Sequence, residues 1–96
     1  MNGTAWPDEA IHPGETLADE LEARGLTQRA LALVMGRSPQ LINEIIRGRT
    51  GISADTAVDL ERALGISAQT WVSLQSRYEL ALAYLRAESR KNNQPA

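Results

Sequence analysis

Two hydroxyl residues, Thr27 and Ser38, and two glycines, Gly36 and Gly48, divide the middle of this 96-residue chain into a pair of short helices. Thr27 precedes an apolar-rich run that Gly36 ends; Ser38-Pro39 opens a second run that Gly48 ends. A hydroxyl just before a helix accepts one of its free N–H groups, proline suits the first helical position, and glycine takes the left-handed conformation that stops a helix. From Leu26 to Arg49 there is room for a capped eight-residue helix, a tight turn and a second capped helix, and for no strand. A turn this short fixes how the second helix leaves the first.

The flanking residues continue the helical pattern. His12-Pro13-Gly14-Glu15 opens a first helix with Leu17 and Leu21 on one stripe, and Gly25 stops it. The second helix is expected to bury Leu31 and Val34, and the third Leu41 or Ile42, Ile45 and Ile46. Ser53 opens a fourth, with Ala57, Leu60 and Leu64 inward and Gly65 at its end. Ser67 caps a fifth that runs to about Glu88. With 43% apolar residues and no Phe, the core must be aliphatic, and period-two alternation is scarce. The expected fold is all-α, with residues 1–11 a flexible arm, 12–88 a single domain and 89–96 a flexible tail.

The fifth helix is long for so small a domain. Trp71, Leu74, Tyr78, Leu82 and Leu85 follow one stripe, and Val72, Leu80, Ala81, Ala83 and Tyr84 widen it beyond one face. So wide an apolar arc calls for two partners, the domain core and a second subunit. Trp71, Tyr78, Leu82, Tyr84 and Leu85 are the residues expected at a homodimer interface.

Charge is segregated along the chain although the net value is −2. Residues 8–22 carry six acids and no base, whereas residues 24–49 carry five arginines against the single acid Glu44. Local charge governs attraction to phosphates, so the helical pair is a candidate DNA-binding segment. Its third helix directs Gln40, Asn43 and Glu44 outward, with Arg47, Arg49 and Thr50 near its end. Gln and Asn pair bidentately with adenine, and arginine pairs with guanine or phosphate. Gln28 and Arg29, on the first turn of the second helix, are placed to meet the DNA backbone.

Other chemistries find little support. The chain has no cysteine, which removes disulfides and thiolate chemistry. His12 is the only histidine, and His12-x-x-Glu15 offers two ligands where a metal site needs at least three. A capping role for His12, no catalytic or metal site and no cofactor are therefore expected. The first 23 residues hold no Lys or Arg and no long apolar run follows, so neither a secretory leader nor a membrane span is expected, and the assignment is cytoplasmic.

The chain resembles the HigA-type antitoxins, within the xenobiotic-response-element (Cro/phage-repressor-like) helix-turn-helix class. The likeness rests on His12-Pro13-Gly14-Glu15, Leu26-Thr27-Gln28, Gly48-Arg49-Thr50-Gly51-Ile52-Ser53-Ala54, Leu60-Glu61-Arg62-Ala63-Leu64-Gly65 and Trp71-x-x-Leu74-Gln75-x-x-Tyr78-Glu79-Leu80. It runs from about Ile11 to Ala83. The helix-turn-helix is shared with many repressors; the two ends are the specific part.

The resemblance implies a five-helix repressor-like domain that binds operator DNA as a dimer and neutralises a RelE-like, mRNA-cleaving toxin. It places the reading positions on Ser38, Pro39, Gln40, Leu41 and Asn43, with Gln28 on the DNA backbone. Pro39 stands where a basic residue is common and Leu41 where threonine is common. The ends of the chain are too short to wrap a partner, so folded surface is expected to hold the toxin. The acids Glu15, Asp19, Glu20 and Glu22 are the candidates to face a basic ribonuclease. The competing readings are a stand-alone helix-turn-helix regulator and a protein-interaction domain that has lost DNA binding.

Overall fold

A computed structural model describes residues 10–92. Five helices follow in order: α1 (Pro13–Arg24), α2 (Gln28–Met35), α3 (Pro39–Ile46), α4 (Ala54–Leu64) and α5 (Ala68–Asn92). The all-α expectation holds. Of the two flexible ends expected from sequence, residues 1–9 and 93–96 lie outside the described residues. α5 continues to Asn92, past Glu88, since no glycine or proline interrupts the chain there.

Each expected cap is made. His12 Nδ1 accepts the Gly14 N–H at 2.9 Å, Thr27 Oγ1 that of Ala30 at 3.0 Å and Ser38 Oγ that of Leu41 at 3.2 Å. Ser53 Oγ and Ser67 Oγ serve Thr56 and Thr70, each at 3.1 Å. Gly36 has φ 69°, and its N–H returns to the carbonyls of Ala32 and Leu33, so only three residues, Gly36 to Ser38, separate α2 from α3. Any residue with a Cβ would be strained in that conformation.

α2 packs on α3 and α4, α1 on α3 and α5, and α4 on α5. The enclosed core is Leu17, Leu21, Leu31, Ala32, Ile42, Ile45, Ile52, Ala57, Leu60, Leu64 and Trp71. Two sequence expectations need correction here. Val34 is 67% exposed, and Ala32 takes its place inside beside Leu31. α2 is apolar nearly all round, so its period alone did not choose the buried side; the small Ala32 lets it sit close to its neighbours. Trp71, expected at a subunit interface, is wholly enclosed within the domain and contributes to its own core instead. An indole buried this fully supplies a large share of a core that has no Phe.

The start of α1 is fixed from two sides. His12 is buried, and its ring meets Tyr78 of α5 edge-on, with centroids 4.7 Å apart. A Cβ on Gly14 would collide with the carbonyl oxygen of Ile45, near the end of α3. The His12-Pro13-Gly14 start thus seats α1 against α3 and α5, which sets the orientation of the helical pair.

Candidate nucleic-acid interface

α3 buries Ile42 and Ile45 and turns Gln40, Asn43, Glu44 and Arg47 the other way. These four positions are spaced i, i+3, i+4 and i+7, which on a helix is one continuous stripe. Ser38, Pro39, Gln40 and Arg47 are exposed, and Asn43 and Glu44 half-buried. The N-terminal turn of α3 therefore stands open, as a helix entering a major groove requires. Leu41, the remaining member of the expected reading set on α3, is half-buried and packs against the core.

Arg49 and Thr50 are drawn back onto the end of α3. Their N–H groups both donate to the Glu44 carbonyl, at 2.9 and 3.3 Å, and Arg49 Nη1 lies 3.6 Å from Glu44 Oε2. That exposed ion pair contributes little stability, but it holds the arginine beside the stripe. At the other edge, α2 begins at Gln28 with Arg29 exposed next to it. Gln28 Oε1 accepts a hydrogen bond from Asn43 Nδ2 at 3.2 Å.

The arginine cluster is less uniform than its sequence density suggests. Arg24 pairs with Glu20 at 3.2 Å and Arg37 with Asp59 of α4 at 2.7 Å. Both act inside the fold. Of the five arginines between residues 24 and 49, Arg29 and Arg47 are in no ion pair, and Arg49 lies beside Glu44. The Glu20–Arg24 pair is legible from its i, i+4 spacing; the Arg37–Asp59 pair joins residues 22 apart and is not.

The remaining candidates fall on two other surfaces. Glu15, Asp19 and Glu22 are exposed along α1, with Glu20 half-buried in its pair with Arg24. On α5, Tyr84 and Leu85 are exposed, Leu82 and Tyr78 half-buried, and Tyr78 lies against His12. Leu80 and Val72 add to the apolar surface of that helix.

Residues 17–71 match the helix-turn-helix family model. Virulence-associated protein I of Dichelobacter nodosus is 49% identical over 75 residues, covering 77% of this chain and 69% of that protein. Antitoxin HigA-1 of Vibrio cholerae is 35% identical over 71 residues, covering 73% of this chain and 67% of its own length. The antitoxin HigA of Pseudomonas aeruginosa, solved with the higBA promoter, superposes with a TM-score of 0.80. It is 40% identical over 92% of this chain and 97% of that one. The chain belongs to the HigA-type antitoxin family.

Part of what shapes this HigA-type domain escaped the reading of individual residues. Gln75 Oε1 accepts the Ile52 N–H at 2.8 Å, and its Nε2 donates to Glu79 at 2.8 Å. A Cβ on Gly51 would press into the Gln75 amide at 2.7 Å. Gln75 thereby ties the loop that follows α3 to α5. The i, i+4 spacing of Gln75 and Glu79 was the available signal; its link to Ile52 arises only once α5 is packed. Among the described residues no helix is long and apolar enough to cross a membrane.

Proposed function

We propose that the chain is the antitoxin of a type II toxin–antitoxin pair, which binds its own operator as a dimer and neutralises a RelE-like, HigB-type mRNA-cleaving toxin by direct contact. The observation that carries the DNA half is the open Gln40–Asn43–Glu44–Arg47 stripe at the start of α3. It is supported by the likeness to a HigA solved with promoter DNA. Ser38 and Pro39 frame the entry of α3, Gln40 and Asn43 read base edges, and Arg29, Arg47, Arg49 and Thr50 meet phosphates. Pro39 has no N–H and no charge to offer phosphate, so the surrounding arginines must supply that attraction.

Substitution of the stripe tests this assignment. Asn43→Ala and Gln40→Ala should each weaken binding to a specific duplex by roughly 1–3 kcal/mol and relax the base preference at one position. Arg47→Ala and Arg49→Ala should instead weaken specific and random duplexes alike. Equal losses on both duplexes for all four variants would mean that another face reads the DNA.

For the toxin, the acidic side of α1 is the surface of choice: Glu15, Asp19 and Glu22, with Glu20 partly neutralised by Arg24. Opposite charge on a ribonuclease that grips RNA would speed encounter. Reversing Asp19 and Glu22 to arginine should slow association with a HigB-type toxin about tenfold at low salt. An unchanged on-rate would move the toxin to another surface. A stand-alone regulator would share the DNA face and bind no toxin at all.

A further inference from the structure

We infer that Gln28 is a positioning residue for base readout, holding the side-chain amide of Asn43 so that discrimination at the base pair Asn43 meets depends on Gln28. This rests on the operator reading proposed above. Gln28 opens α2 and Asn43 lies on the outward stripe of α3, 15 residues on, and the bond between them at 3.2 Å is part-buried. Both side chains are half-buried, so the bond is sheltered from the water that would otherwise compete for it.

An asparagine free on a helix surface turns about its last torsion and offers either edge of its amide. The two edges have opposite preferences: the oxygen accepts from an amino group of adenine or cytosine, and the NH2 donates to N7, O6 or O4. Committing one N–H to Gln28 removes that freedom and leaves Asn43 with its oxygen and one further N–H in a fixed plane. Ordering the amide before DNA arrives lowers the entropy lost on contact and disfavours bases whose edge does not match. Gln28 keeps its own NH2 for a neighbouring phosphate, so a backbone contact and a base contact form one unit. A glutamine that touched phosphate alone would act equally on every sequence.

The test uses a duplex enriched by the wild-type protein from a randomised library, the same duplex with each base pair replaced in turn, and a random duplex. Binding is followed by fluorescence anisotropy for wild type, Gln28→Ala, Gln28→Glu, Asn43→Ala and the double Gln28→Ala/Asn43→Ala protein. Alanine is the stronger helix former, so α2 persists in the Gln28→Ala protein. Gln28→Ala should lower discrimination about tenfold at the base pair that Asn43→Ala also relaxes, and leave the other positions unchanged. The double variant should discriminate no worse than Asn43→Ala alone. Gln28→Glu retains an acceptor for Asn43 Nδ2, so it should keep the discrimination while its charge weakens binding to every duplex. Gln28→Ala lowering all affinities by one factor, or Gln28→Glu losing discrimination as fully as alanine, would overturn the inference and leave operator binding standing. If the wild-type protein enriches no duplex, the operator reading falls and this inference falls with it.

Discussion

A Gly14→Ala protein is expected to lose about 3 kcal/mol or more of unfolding free energy, a large fraction of what holds a domain of this size together. The added Cβ meets the backbone carbonyl of Ile45, not a side chain that can swing away. To make room, α1 must withdraw from α3, and His12 then leaves both its cap on Gly14 and its contact with Tyr78. Urea denaturation measures the loss. Gly25→Ala is the control, because a Cβ there has nothing within 4 Å and its strain comes from φ 65° alone, worth about 1–2 kcal/mol. Equal losses in the two proteins would show that α1 can slide without cost and that its tight seat on α3 is not what stabilises the fold.

The second large effect is expected on assembly. Leu80 and Leu85 are 49% and 39% exposed, on a helix that runs to Asn92. If a second copy covers this surface together with Leu82 and Tyr84, replacing Leu80 and Leu85 by glutamate buries two charges against it. Each such residue near the centre of an interface is worth about 2 kcal/mol, or about 4 kcal/mol for the two, so the dimer's dissociation constant should rise about 1,000-fold. Operator affinity should fall with it, since a dimer engages two half-sites at once and a monomer only one. Both side chains already meet solvent in the protomer, so the fold should survive and the melting curve should change little. Sedimentation velocity separates the cases; an intact dimer in the double variant would place the interface away from α5.

What the sequence disclosed and what it hid divide along physical lines. Caps and stops were legible because they are local: the hydroxyl or imidazole before each helix needs only the N–H groups of the next turn, and Gly36 needs only its own φ. The outward set on α3 was legible because Ile42 and Ile45 fix the inner side of an eight-residue helix. α2 was not, since Ala30, Leu33 and Val34 match its inner residues in polarity, and only its neighbours decide that Ala32 goes inside. Leu41 sits at the border of the buried arc of α3, where packing rather than period chose the core. Trp71 lies on the same stripe as Leu82 and Leu85, yet the core ends between them, and the point where a long helix outruns its core is a property of the assembled fold. The long-range pairs Arg37–Asp59, Gln28–Asn43 and Ile52–Gln75 carry no spacing signal.

Readout of a specific duplex by α3 is open to one decisive experiment. Its most direct test is binding of the full chain to the DNA upstream of its own gene, set against a random duplex of equal length and titrated with salt. Binding to the upstream DNA should be tight, well above that to random sequence, with both affinities falling steeply as salt rises because arginines displace counterions from phosphates. Binding to the upstream DNA no tighter than to the random duplex would contradict it and leave the α1 and α5 surfaces as the working parts of the molecule.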